Sequence, residues 1–152
     1  EYFQEGPLAG FPVIGVRAVL FDGSYHAVDS NEISFKLAAA IAFKNALKDV
    51  KPTILEPIMK VEVTTPDQYM GDVTGDLNRR RAMLEGMDTR AGAQVIRAKV
   101  PLSEMFGYVT QLRSLSSGRA SSPMEFSHYA PAPRNIEEEV VAKSKGKNKN
   151  ED

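Results

Sequence analysis

The sequence predicts an α+β chain: a compact βαββαβ domain preceded by a strand–loop–helix segment of a larger, truncated α/β domain. Three observations carry that expectation. Met59, Val61 and Val63 alternate with Lys60, Glu62 and Thr64, the period of a half-buried strand. After Pro66 the apolar spacing lengthens to that of a helix, through Tyr69/Met70, Val73 and Leu77. The same change of period then recurs. Ile96, Ala98 and Val100 alternate with Arg97 and Lys99, and Leu102, Met105/Phe106, Val109 and Leu112 follow at helical spacing.

Residues 1–10 carry no assigned function, and Gly6, Pro7 and Gly10 suggest a turn or connector. Phe11–Phe21 is rich in Val, Ile and Phe and reads as a strand, with Pro12 near its start, where proline is tolerated. Its partners are expected upstream, since one strand cannot stand alone. Asp22–His26 reads as a loop with a tight Asp-Gly turn. Asp29-Ser30-Asn31-Glu32 reads as a capping box. The helix it opens, from about Asn31 to Val50, has an apolar stripe of Ile33, Leu37, Ala40/Ile41 and Leu47. Lys36, Lys44, Asn45 and Lys48 form its wet face. Lys51-Pro52 begins a linker.

The next strand starts at Leu55. Thr65 is expected to cap the following helix, with Pro66 at its first position and Gln68 completing the box. Gly71 and Gly75 leave one side of that helix bare, for close approach of a neighbouring strand. Arg79-Arg80-Arg81 end it, where cations suit the negative pole. A strand, a turn at Asp88–Gly92 and the strand Ala93–Val100 follow. A second helix begins at Pro101, Ser114–Arg119 is a loop, and Pro123–Tyr129 is the last strand. Over about 80 residues this is the split βαβ order of a ferredoxin-like domain. Asn135–Ala142 is a short helix with Glu137–Glu139 in its first turn, and residues 143–152 are polar and expected to be disordered.

Composition narrows the chemistry. The chain has 152 residues, 42% of them hydrophobic, enough for one domain or two small ones. No apolar run reaches the ~18 residues of a membrane span, and no signal-peptide pattern opens the chain. The lack of cysteine excludes disulfides, thiolate catalysis and thiolate zinc sites. At net charge -1 there is no global attraction to nucleic acid, so any RNA contact rests on local patches.

His26 is the first candidate site residue. Asp22, Ser24 and Asp29 stand near it in sequence, so an acid–base role, a plain exposed turn, and stacking of Tyr25 and His26 on unpaired bases all remain open. Arg79, Arg80 and Arg81, with Arg113 and Arg119 flanking a loop, read either as solvated charge or as a phosphate-binding patch. His128 has no second histidine near it and argues against a metal site. No phosphate-binding loop of the G-x-x-x-x-G-K-[ST] type is present. The third strand of the ferredoxin-like unit, AQVIRAKV, lacks the aromatics of a base-stacking sheet. Thr64-Thr65-Pro66-Asp67 lacks the glycine of a phosphate cradle and brings an acidic residue. No catalytic residue and no metal ligand are assigned.

Read as a series, LAGFPV, LFDGSYHAVDSNEISFK, LEPIMKVEVTTPDQYMGDVTGDLNRRR, EGM, GAQVIRAKVPLSEMFGY, LRSLSSGRAS and MEFSHY occur in the order in which they stand in one family. The chain resembles the C-terminal part of bacterial elongation factor G, the ribosomal translocase, from Gly10 to about Val141. The resemblance implies four segments: the end of domain IV at 7–50, a ferredoxin-like domain V at 52–131, a C-terminal helix at 133–142, and a tail at 143–152 that departs from the shared pattern. It implies a tip loop at Gly23, Ser24, Tyr25 and His26 that enters the small-subunit decoding region and contacts tRNA–mRNA. It also implies contacts of domain V with rRNA near the large-subunit GTPase-associated centre. Among these contacts, Arg79, Arg80, Arg113 and Arg119 are chosen on charge alone.

The expected partners are therefore the ribosome, tRNA–mRNA and rRNA, with no membrane, in the cytoplasm. GTP and magnesium belong to an upstream domain, so this chain by itself is expected to hold no cofactor and to hydrolyse no GTP. The alternatives are a paralogous ribosomal protection or recycling GTPase, a free-standing RNA-binding module, and a small enzyme. The Gly23–His26 tip favours the translocase, and the lack of a nucleophile–base cluster opposes the enzyme.

Overall fold

The computed structural model describes residues 2–147. They fall into two compact units: residues 55–131, and residues 2–54 together with 132–147.

Unit 55–131 is the βαββαβ domain. β1 (Leu55–Pro66) leads through a short 3-10 turn to α2 (Met70–Arg79), the second helix of the chain. The hairpin β2 (Met83–Arg90) and β3 (Ala93–Pro101) follows. A second 3-10 turn leads to α3 (Tyr108–Leu115), and β4 (Met124–Pro131) closes the unit. The sheet order is β2-β3-β1-β4, antiparallel throughout, so the two most apolar strands lie in the middle. Val61 stands opposite Ala98 and Val63 opposite Ile96, which puts the alternating residues of both strands on one face. Val73 and Leu77 of α2, with Met105, Tyr108 and Leu112, close that core. Pro57 is tolerated in β1 because β3 pairs only from Ile58 onward, leaving one side of the strand without a ladder to break.

Several local expectations are corrected. Thr65 does not cap a helix: its side chain is buried, it pairs with Gln94 as a strand residue, and its hydroxyl donates to the Pro66 carbonyl. The strand runs on because its partner β3 is long enough to hold it. Gly71 and Gly75 face open space, and a Cβ on either would meet nothing within 4 Å. The helix expected from Pro101 is broken at Gly107, whose φ of 73° is left-handed. The buried apolar residues are therefore Met105, ahead of α3, and Tyr108 and Leu112 within it, with Phe106 and Val109 exposed. The β2–β3 hairpin turns on two residues, Ala91 and Gly92, both with positive φ, the geometry of a type I′ turn.

In the other unit, α1 spans Glu32–Asp49 and α4 spans Arg134–Lys147. Asn31 is the N-cap of α1, accepting from the Ser34 amide, and Glu32 is the first helical residue, so the expected capping box over Asp29–Glu32 is corrected to a single cap two residues later. The strand expected over residues 11–21 is not formed, because among the described residues no second strand offers it a ladder. Leu20 and Phe21 are consequently more than nine-tenths exposed. Of the stripe expected on α1, Ala40 is buried and Leu47 is half-buried, while Ile33, Leu37 and Ile41 stay exposed. α4 continues through Lys147, past the expected end at 142, with Arg134–Glu138 and Glu139–Lys143 paired at four-residue spacing. The expected disorder of residues 143–147 is thus corrected to helix, and 148–152 lie outside the described residues.

Candidate nucleic-acid interface

Gly23, Ser24, Tyr25 and His26 lie together on an irregular exposed segment between residue 21 and α1. The tight turn is displaced from Asp22-Gly23 to residues 27–29. There the His26 carbonyl accepts from the Ser30 amide at 2.8 Å, and the Ser30 hydroxyl accepts from the His26 amide at 2.8 Å. Asp22 accepts from the Gly23 amide at 2.8 Å. The loop is thus shaped by its own short polar side chains, which releases the Tyr25 and His26 rings to solvent; Tyr25 is 68% exposed. Among the described residues no carboxylate or hydroxyl bonds the His26 ring, and no group of His, Asp and Glu is placed to hold a metal ion. The arrangement offers flat rings and backbone polar groups rather than proton-transfer chemistry.

The four arginines expected to form one patch are divided. Arg79 is exposed at the C-terminal end of α2. Arg80, expected in solvent beside it, is mostly enclosed, its side chain 17% exposed. Its Nε donates to Asp76 at 2.9 Å, its Nη1 donates to the Glu104 carbonyl, and its guanidinium lies 5.0 Å from the centre of the Tyr108 ring. Arg80 is therefore a tie between α2, the second 3-10 turn and α3. Its spacing four residues from Asp76 was legible, but its burial was not.

Arg113 and Arg119 sit elsewhere. The Arg113 carbonyl accepts from the Gly118 amide at 2.9 Å, closing the end of α3 and exposing both arginines around that loop. The loop lies against Tyr69, whose phenol donates to the Ser117 hydroxyl at 3.4 Å. The Ser117 hydroxyl, then Gln68, hold the Tyr69 phenol below its ordinary value, and Arg119 acts in the same direction. Tyr69 opens α2 and Arg79 ends it, so about 15 Å of helix separates the Arg119 end from the Arg79 end.

Arg81, grouped in the sequence with a solvated or phosphate-binding run, is instead an internal ion-pair residue whose partners sequence reasoning missed. Arg81 donates two parallel bonds to Glu56, at 2.9 and 3.0 Å, and its Nε donates to Glu104 at 3.0 Å. The Glu56 carboxylate, reinforced by Glu104, raises the Arg81 pKa above its ordinary value. Glu56 lies 25 residues away in sequence, so no local pattern announces the pair. On the sheet, Lys60 stands opposite Lys99 and Glu62 opposite Arg97. These side chains pair with Glu125, Glu85, Arg90 and Asp88 respectively, a charged surface rather than an aromatic one. No helix among the described residues is long and apolar enough to cross a membrane.

A βαββαβ domain with this strand order, joined to a helical unit carrying an exposed polar loop, defines an α+β module of ferredoxin-like class. Two family models divide the chain between them: Elongation factor G, domain IV matches residues 1–51, and Elongation factor G C-terminus matches residues 53–140. The chain belongs to the elongation factor G family, as a counterpart of its C-terminal part. A crystal structure of a protein from Thermus thermophilus is similar at 39% identity and a TM-score of 0.88 over 95% of this chain. The chain spans 22% of the length of that protein.

Proposed function

We propose that this chain is the ribosome-binding C-terminal portion of a translation elongation factor G and promotes GTP-dependent translocation of tRNA and mRNA. The observation that carries the reading is the unbroken succession of the domain IV and C-terminal family matches, with the Gly23–His26 loop exposed inside the first. In this role the tip occupies the decoding region of the small subunit in the cytoplasm. Its rings and backbone groups make polar and stacking contacts with the codon–anticodon duplex, block its return, and bias movement forward. The step is steric and electrostatic and breaks no bond. The βαββαβ domain meets large-subunit rRNA near the GTPase-associated centre, through the exposed Arg79 at one end of α2 and Arg113 and Arg119 at the other. GTP and its magnesium ion belong to an upstream domain.

The test joins this chain to the upstream domains of the factor and follows mRNA movement in a single turnover with GTP. His26→Ala is expected to slow movement at least tenfold and to leave ribosome-stimulated GTP hydrolysis within about twofold, since ~1.4 kcal/mol of lost transition-state contact is a factor of ten. Equal loss of both activities would sink the assignment of the tip. Hydrolysis without movement by the unaltered factor would point instead to a recycling or protection paralogue.

A further inference from the structure

Asp22-Gly23 is the only Asp-Gly pair in the chain, and no Asn-Gly pair occurs. A glycine after aspartate removes the side chain that would shield the peptide nitrogen from the neighbouring carboxyl. The structure supplies the geometry. Both residues are exposed and lie on irregular backbone. Among the described residues the Gly23 amide bonds no backbone carbonyl, and it donates to Asp22 Oδ1 at 2.8 Å. The carboxyl carbon, one C–O bond behind that oxygen, therefore stands within about 4 Å of the nitrogen, close to the ~3–3.5 Å at which reacting atoms meet. The contact joins adjacent residues, so it does not depend on any segment upstream.

The other aspartates are held differently. The amide after Asp29, that of Ser30, donates to the His26 carbonyl at 2.8 Å, and the amide after Asp49, that of Val50, donates to the Ala46 carbonyl at 3.2 Å. Asp67 accepts from Gln94 Nε2 at 3.1 Å, which holds its carboxyl toward β3. Asp72 and Asp76 lie within α2 and Asp88 within β2, where regular backbone bonding fixes the torsions that ring closure must turn.

We propose that Asp22 isomerises to isoaspartate through a succinimide, which makes the tip loop the site of an age-dependent covalent modification. The Gly23 nitrogen attacks Cγ of the protonated Asp22 carboxyl. An N–Cγ bond forms, the amide proton and the carboxyl hydroxyl leave together as water, and a five-membered ring results. Water then opens the ring. Addition at Cγ restores aspartate. Addition at the main-chain carbonyl carbon of Asp22 breaks its bond to the Gly23 nitrogen, so the chain runs on through Cγ, one carbon longer, with a free α-carboxylate. The mass is unchanged, and no oxidant or cofactor enters. The added carbon lies directly ahead of Ser24, Tyr25 and His26. Its effect on mRNA movement rests on the tip reading above, whereas the chemistry at Asp22 does not.

The full chain is incubated for several weeks at physiological pH and temperature in water enriched in heavy oxygen, then digested with trypsin in ordinary water. The tryptic peptide of residues 18–36 carries Asp22 and Asp29 together, and electron-transfer fragmentation identifies isoaspartate and locates the label. Label and isoaspartate are expected at Asp22 at least tenfold above those at Asp29, since a misplaced reacting pair loses up to ~10²-fold in rate. Gly23→Ala should slow labelling at least tenfold, at a position where a Cβ would meet nothing within 4 Å. Asp22→Asn should form the same ring faster, with loss of ammonia. Absence of label at Asp22, equal label at Asp29, or an unchanged rate in Gly23→Ala would overturn the proposal. So would labelling more than tenfold slower in the folded chain than in the same chain unfolded in urea, because the loop would then be holding nitrogen and carbon apart. In the complete factor, mRNA movement should fall in step with the isoaspartate fraction while GTP hydrolysis is kept. Unslowed movement with the isomer present would sink the tip assignment and leave the modification standing.

Discussion

Tyr108 is the largest fully buried side chain of the βαββαβ unit, and its hydroxyl has no hydrogen-bond partner among the described residues. Burial pushes its phenol up to about 12, with Asp76 adding to the rise and Arg80 opposing it. An unfolded phenol ionises near 10, so on raising the pH the unfolded state releases this proton first. The stability tied to the neutral phenol is fully present below about pH 10 and is lost as the pH climbs through the folded value, at up to ~1.4 kcal/mol per pH unit. Urea denaturation across that window should show a steeper fall for the natural chain than for Tyr108→Phe, while the two remain within about 1 kcal/mol of each other at pH 7. Parallel curves would refute the burial of the phenol. Arg81 is the second residue whose identity decides something. Its φ of 59° is left-handed, a conformation that costs a non-glycine residue about 1–2 kcal/mol. Arg81→Gly relieves that cost but leaves Glu56, 11% exposed, without its bidentate partner. Net destabilisation of roughly 1–3 kcal/mol is expected, because an unpaired buried carboxylate costs more than the backbone gains. A gain in stability would show that backbone geometry, not the ion pair, governs the position.

At the scale of elements, helix ends and turns carry what periodicity cannot. α2 stops because the Ala82 amide donates to the Leu77 carbonyl at 3.1 Å and the Arg81 amide to Asn78 at 3.3 Å, the pairing of a Schellman motif. Glycine ordinarily fills the left-handed position, and here arginine does, held by Glu56 and Glu104. The β2–β3 hairpin has Ala91 at φ 49° in the first place of a type I′ turn, where asparagine or glycine is at ease. Ala91→Asn should raise stability by about 0.5–1 kcal/mol, read as a shift of the urea midpoint at constant slope. No shift would mean that the turn adjusts around alanine. At Gly86, beside the register shift in β2, a Cβ would stand 3.1 Å from the Arg97 guanidinium, the mobile end of a partly exposed side chain that can give way by a few tenths of an ångström.

At the scale of the whole molecule the two units differ in what holds them. Residues 55–131 contain their own core and a four-stranded ladder. Residues 11–21 have the composition of a strand and form none among the described residues. Hydrogen exchange should report this directly. The amides of Val61–Val63 and Ile96–Ala98 should be protected roughly 10³-fold or more, and those of residues 14–21 hardly at all. Strong protection over 14–21 would mean that this segment pairs in solution.

Much of the fold was legible because it rests on period. The alternation in β1 and β3, the helical stripe of α2 and the order of elements are local properties of the chain, and they suffice for a βαββαβ domain. The exposed loop at Gly23–His26 was legible too, since short polar residues shape their own turn. What only the tertiary structure decided depends on residues distant in sequence. It turned Arg80 and Arg81 from a solvated run into ties to Tyr108, Glu104 and Glu56, and it kept Thr65 in a strand because β3 reached it. Charge and propensity are written residue by residue, but burial belongs to pairs of segments, and it is burial that determines whether an arginine meets solvent, an aromatic ring or a carboxylate.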